Sequence, residues 1–325
     1  DWMISKITDT GARIEIECFP ADSDLLIQVV PGPSAYRAQQ IEPLATPTLA
    51  VPLDTAIMRD ADSNAGLYFA LAGYGPNYPG GELFTGPNDG ALTSRGQVAN
   101  EAPMGVAETV LGAWSNNVVD ETNLLTVNVG HHSLSSITRD VLLSGTENVA
   151  AVGAPGRWEI IKFQRASDLG GGHYLLSGLL RGMRGTEFAV SQHQMGDRFV
   201  VMGVPGMLRP NLDGGSIGQE QLFRAITLGR SFNSMASQEF TNTAEGLKPF
   251  SPVNLRKSFS GTDIVLTWSR RTRLTENAFA GFLPLGETSE RYDVTIYSDT
   301  TFTTVKRVIQ VFAETATYTA AQQIA

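Results

Sequence analysis

Leu125-Thr126-Val127-Asn128-Val129 alternates strictly, with Leu125, Val127 and Val129 on one face and Thr126 and Asn128 on the other. That period of two belongs to a half-buried strand, since a helix would need apolar residues every three or four positions. The scheme recurs along the chain. Ile14, Ile16 and Cys18 oppose Arg13, Glu15 and Glu17; Ile264, Leu266 and Trp268 repeat it, as do Tyr292, Val294 and Ile296. Leu67-Tyr68-Phe69-Ala70-Leu71 and Phe199-Val200-Val201-Met202 are apolar throughout, which suits strands covered on both sides. Asn88-Asp89-Gly90, Gly170-Gly171-Gly172, Pro205-Gly206 and Asp213-Gly214-Gly215 supply turn residues that tolerate positive φ. One longer helix is expected, Ile217 to Leu228, capped by Ser216 and ended by Gly229. The fold class is mainly β, with few short helices.

A chain of 325 residues has the length of two or three domains. Proline-rich Ile41-Glu42-Pro43-Leu44-Ala45-Thr46-Pro47 and the stretch Asn242 to Pro252 read as connectors, giving segments 1–45, 46–245 and 246–325. The last holds strand-like runs at Val253–Leu255, Asp263–Ser269, Arg291–Tyr297, Thr304–Val311 and around Tyr318. They suit an immunoglobulin-like sandwich of the fibronectin type III kind, incomplete because it has about five strands of the roughly seven such a fold uses. The chain opens at Asp1 with no initiator Met, basic stretch or apolar signal core, so it reads as a piece of a longer protein.

Thirty-three acidic against 24 basic residues give a net charge of -9, which removes the general attraction to phosphates and argues against nucleic acid. Hydrophobic residues at 42% exclude disorder, and no apolar run is long enough for a transmembrane segment. Cys18 is the single cysteine; it cannot form an internal disulfide, and its place in an alternating run makes it an expected core residue.

Gly214-Gly215-Ser216-Ile217-Gly218 matches a nucleophile-elbow pattern with a helix expected after it, but the preceding residues are not a hydrophobic strand and all four histidines come before the serine. A capping turn is the better reading. Asp60, Asp62 and Asn64 place oxygens at alternate positions as a calcium loop begins, yet Gly66 is one place late and Leu71 stands where the closing carboxylate belongs; an Asx turn is preferred. His131-His132 would point to opposite faces of a strand and has no acidic residue or cysteine within four positions, so no metal is assigned. Asp120, Glu121, Glu159, Glu187, Asp197, Glu287 and Glu290 could include an acid and base pair for glycoside cleavage, although solvated surface charge explains most of them. The loop Gly73 to Gly81 carries Tyr74 and Tyr78, which with Trp114 are candidates for stacking on a sugar or a protein surface. Arg181 and Arg184 follow the strand at Tyr174–Leu176 in Leu179-Leu180-Arg181-Gly182-Met183-Arg184-Gly185-Thr186-Glu187, with guanidinium forks turned outward to pair with Glu187 or a neighbouring subunit.

That arginine-glycine segment, with Leu175-Leu176-Ser177-Gly178 before it and Gly156-Arg157-Trp158-Glu159-Ile160-Ile161-Lys162-Phe163 further upstream, resembles the C-terminal region of the large, megatron-type baseplate hub or host-specificity tail protein of gene transfer agents and related long-tailed phages. Leu53 to Asp62, Gly66 to Gly73, Val119 to Val127, Ser251 to Leu255, Trp268 to Arg273 and Pro284 to Glu287 are similar to that family as well, so the resemblance spans about Leu53 to Tyr297. It implies a virion component at the tail tip or baseplate, made in the bacterial host cytoplasm and assembled as a homotrimer. Its partners would be hub and fibre proteins and a glycan or protein receptor on the host surface. On this resemblance segment 1–45 is the end of a hub-type β domain, 46–245 a connector domain and 246–325 the sandwich. Some relatives carry a glycosidase-like barrel nearer their N-terminus, to which nothing here corresponds. No catalytic residue and no cofactor is carried over, and the expectation is a binding protein rather than an enzyme. The rival readings are a glycan-binding adhesin and a cell-envelope glycosidase domain.

Overall fold

The computed structural model describes residues 2–20, 45–274 and 283–324, and the chain divides into two units, Asp1–Leu44 and Ala45–Ala325. The expected connector at residues 41–47 falls at this division, its first four residues outside the described ones. The stretch Asn242 to Pro252 lies within the second unit.

In the first unit β1 (Trp2–Asp9) and β2 (Ile14–Pro20) form an antiparallel hairpin in which Trp2 faces Pro20 and Asp9 faces Ile14. Asp9 accepts the Gly11 N–H at 2.7 Å, and Gly11 turns at a φ of +74°. Every described residue of the hairpin is exposed, so Cys18 is not a core residue and Ile14 and Ile16 are not half-buried. Among the described residues no second layer covers either face of this two-stranded ribbon.

The second unit begins with β3 (Thr48–Leu53), β4 (Tyr68–Gly73), β5 (Gly81–Gly86), β6 (Thr93–Val98), β7 (Met104–Ala107) and β8 (Leu125–Asn128). There follow α1 (Arg139–Ser144), β9 (Val149–Gly153), β10 (Glu159–Gly170), β11 (His173–Met183), β12 (Arg198–Val201), β13 (Met207–Leu208), β14 (Glu220–Thr227) and β15 (Gln238–Thr241). Its last elements are β16 (Val253–Ser260), β17 (Asp263–Ser269), β18 (Tyr292–Tyr297), β19 (Val305–Val311), β20 (Thr315–Tyr318) and the short α2 (Ala320–Ile324). The protein is mainly β with few short helices.

Six of these strands close into an antiparallel barrel in the order β10-β11-β8-β7-β12-β9. Alternation decides which side chains enter it. Leu125 and Val127, Ala150 and Val152, Ile161 and Phe163, Leu176 and Leu179, and Phe199 form one buried cluster that fills the barrel. The alternate positions Val149, Ala151, Ile160 and Val200 pack with Val51, Leu53, Tyr68, Ala70 and Ala72 of the sheet β13-β4-β3. The intervening residues of that sheet, Phe69 and Leu71, face a third sheet, β15-β14-β5-β6, through Leu83, Phe223, Ala225 and Phe240. β4 is thus a middle layer, which accounts for its uninterrupted apolar sequence. Phe69 packs edge-on to Phe240 with ring centroids 5.4 Å apart, and its full burial contributes about 1.5–3 kcal/mol.

The expected helix at Ile217–Leu228 is a strand. Gly214–Ser216 make a single tight turn in which the Asp213 side chain accepts the Gly215 N–H, and β14 then lies between β5 and β15. Phe223 and Ala225 enter the core on one face while Arg224 turns to Asp89 on the other. Pairing on both edges outweighs the helix-compatible composition, because local propensity is the weaker signal. Gly229, at a φ of +82°, ends the strand rather than a helix.

At the C-terminal end β16-β17-β20 and β18-β19 form two small sheets, joined by Trp268 edge-on to Tyr292 at 5.1 Å.

Gly105 of β7 shows how tightly the barrel closes: a Cβ there would overlap the carbonyl of Asn128 on β8, backbone that cannot step aside. Gly105→Ala is expected to lower unfolding free energy by about 1–3 kcal/mol in a denaturant titration. Gly214→Ala, where an added Cβ meets nothing within 4 Å, should change it by less than about 0.5 kcal/mol.

Candidate functional site

Among the described residues the densest chemistry is a run of ion pairs around Arg181 and Glu159 of the barrel. β11 runs through Met183, so Arg181 lies within a strand rather than after one. Against β10 the register passes from Lys162 opposite Leu180 to Ile160 opposite Met183, a bulge that puts one extra residue on β11. Gly182 accommodates it at a φ of +58° and donates its N–H to Glu159 Oε1 at 2.7 Å. The bulge re-aims Arg181 inward, where its side chain is 2% exposed.

All five of its N–H donors are used. Nε and Nη2 grip Glu159 at 2.8 and 2.9 Å, Nη1 reaches Gly112 O at 2.9 Å and Asp120 Oδ2 at 3.1 Å, and Nη2 also meets Val190 O at 3.3 Å. Asp120 is held beside it by a bridge in which its N–H and carbonyl both pair with Leu179, and its carboxylate collects the N–H groups of Thr122 and Asn123. Glu159 also meets His193 Nε2 at 2.5 Å; His193 Nδ1 faces Asp197 at 3.3 Å, and Asp197 takes a two-pronged contact from Arg157.

Burial alone would push the Glu159 carboxyl up, but hydrogen bonds from His193 and Arg181, with the arginine charge, hold it below its ordinary value. Asp120 is lowered against burial mainly by Asn123, Thr122 and Arg181. Asp197 is lowered against burial by Arg157 and the Gln194 N–H.

The expectation that the forks of Arg181 turn outward is therefore corrected: it pairs with Glu159 and Asp120, while Glu187 pairs with Arg271 at 2.7 Å. Arg184 sits at a φ of +60° and donates to Met58 O at 2.6 Å. Asp120, Glu159 and Asp197 are buried, not solvated, and with their oxygens turned to internal donors they do not line an open groove as an acid and base pair. Trp114, half-buried, donates Nε1 to Val118 O at 3.1 Å and shares one shallow groove with Arg181 and Gly182. Tyr74 is 65% exposed on the β4–β5 loop, with Tyr78 half-buried in the same loop, and neither lies with Trp114 in that groove.

Two of the calcium candidates, Asp62 and Asn64, are turned to protein donors. Asp62 is bound by Arg59 and the Tyr68 hydroxyl, and Asn64 Oδ1 takes Arg209 and the Gly66 N–H, the last an Asx turn. Two guanidinium groups among those oxygens disfavour a cation. Ser216 Oγ donates to Asp213 O at 2.6 Å in a turn followed by a strand, so the elbow pattern lacks its helix. His131 and His132 lie in a turn after β8, not on a strand, and do not point apart: their rings are 4.1 Å apart between centroids and face Glu101. Burial, then the neighbouring His131, pushes the His132 imidazole below its ordinary range. Glu101, His193 and the pairings of Glu159 were beyond sequence reasoning. One signal was present: Trp158-Glu159-Ile160-Ile161 sets a lone charge inside an apolar run, which demands a buried partner.

Arg181→Met leaves Glu159 and Asp120 buried without their cation and is expected to cost about 3–5 kcal/mol in a denaturant titration at pH 7. The lowered carboxyls add a pH signature. Their folded values lie below the ordinary 4.5 and 3.8, so the stability they contribute is fully present above those values and is lost as pH falls through the folded ones. Wild type should lose stability steeply in that acid range, and Arg181→Met should lose it more shallowly.

A family model described as Rcc01698-like, C-terminal, matches residues 102–200, less than half of the chain. That span covers the barrel strands from β7 to β12 and holds every side chain of the ion network. No curated protein matches the chain.

Proposed function

We propose that this chain is a structural component of a phage or gene-transfer-agent tail tip or baseplate, joining a tail hub to fibres and contributing to attachment at the host surface. The observation that carries the reading is the β10–β11 hairpin. Its strands carry most of Gly156–Phe163 and Leu175–Glu187, two segments that resemble that family, and its Arg181 and Glu159 are spent on internal partners. A barrel filled with side chains and tied by buried ion pairs suits a spacer that must keep its shape under load, and it leaves binding to the outer loops. Hub and fibre proteins are the expected neighbours, and three-fold symmetry is the expected assembly, with each contact repeated by rotation. The exposed Tyr74 loop and the Trp114 groove are the surfaces such contacts would use.

Mass spectrometry of purified tail particles tests this directly. Peptides of this chain should appear in tails, within a longer polypeptide, and cross-linking of intact particles should give a trimer. Recovery only as a free secreted protein of this length would overturn the assignment. Saturable binding on a glycan array that Tyr74→Ala abolishes would favour an adhesin over a connector.

A further inference from the structure

Glu101, His131 and His132 bring one carboxylate and two imidazoles together although Glu101 is thirty residues away in sequence, their ligand atoms all lying within 4.8 Å of one another. His131 Nε2 is 3.0 Å from Glu101 Oε2 and 3.2 Å from Oε1, whereas His132 Nδ1 stands 3.8 Å from Oε2. The first contact is an ordinary hydrogen bond; the second is too long for one. Around a tetrahedral zinc ion with ligands at about 2.0–2.2 Å, neighbouring ligand atoms sit about 3.3–3.6 Å apart. The two separations from Glu101 Oε2, 3.0 Å to His131 and 3.8 Å to His132, bracket that edge.

The frame is fixed. Glu101 Oε1 accepts the Gly73 N–H at 2.8 Å, which orients the carboxylate as an outer-shell partner does, and the next residue, Ala102, donates to Leu71 O on β4. The histidine turn is anchored by the Val129 N–H on Gly172 O and the His132 N–H on Val129 O, with Gly130 at a φ of +62°. His131 lies on the solvent side of the cluster and His132 is more enclosed, which leaves an approach open from one direction.

We propose that Glu101 Oε2, His131 Nε2 and His132 Nδ1 form a binding site for one divalent transition-metal ion of the zinc class, with the remaining position open to water. Two nitrogens and one oxygen suit zinc, nickel or copper and do not suit calcium or magnesium, which take oxygens alone. The site is separate from the barrel's ion network and does not depend on the tail assignment.

Calorimetric titration of the metal-free chain with zinc chloride tests it. One equivalent should bind, and His132→Ala and Glu101→Gln should each weaken binding by about tenfold or more. His173→Ala, which removes an imidazole paired elsewhere with Glu108, should leave it unchanged. In wild type, imidazole nitrogen NMR signals of His131 and His132 should shift with zinc while those of His173 and His193 stay, a readout that does not depend on any variant folding. The proposal fails if no saturable binding occurs at about 100 μM zinc, where a micromolar site would be full. It fails equally if the signals that move belong to other histidines.

Discussion

One guanidinium group holds four separate stretches of this chain in register. Arg181 has five N–H donors, and they meet Gly112 before β8, Asp120 beside β11, Glu159 on β10 and Val190 beyond the barrel's longest hairpin. Taking an arginine and two carboxylates out of water costs several kcal/mol per ion, and their attraction offsets this only where every remaining donor and acceptor is met. Nearly correct placement of these segments is therefore worth little, and complete placement is worth a great deal. A buried network of this kind adds little over a well-packed apolar core, yet losing one partner strands the others without compensation.

The consequence spreads outward through the turn after β11. The bulge that aims Arg181 inward sends residues 182–187 back across the barrel rim, with Gly182, Arg184 and Gly185 all at positive φ. The ring of Phe250 packs where a side chain on Gly185 would have to go, and Arg271 lies over that ring while pairing with Glu187. Arg273, also buried, reaches Glu287, Gly286 and Ser63. The arginine-rich stretch after β17 is thus how the C-terminal sheets are tied to the layers before them.

Much of this architecture was legible because strand alternation is a local signal. The runs at Leu125–Val129, Phe199–Met202, Asp263–Ser269 and Tyr292–Ile296 all coincide with strands, and the doubly apolar run of β4 pointed to a layer covered on both sides. Failures came where a distant partner decides the outcome. Ile217–Leu228 has helix-compatible residues, and only the edges of β5 and β15 make it a strand. Cys18 and its neighbours alternate as a buried strand does, but alternation says which face could be covered and not that anything covers it. For Arg181 the residue type was a useful pointer and the direction was wrong, because a bulge shifts every later side chain to the opposite face. The histidine pair lies in a turn, where the strand rule that adjacent side chains point apart does not hold, and its carboxylate partner Glu101 is thirty residues away in sequence.

Side chains fill the interior of the barrel, and turns join the strands around it. Two of those turns share one side chain. Glu101 Oε1 accepts the N–H of Gly73, the end of β4 where the Tyr74 loop begins, while His131 reaches both of its oxygens and His132 faces Oε2. The base of the Tyr74 loop and the histidine turn therefore meet at a single carboxylate.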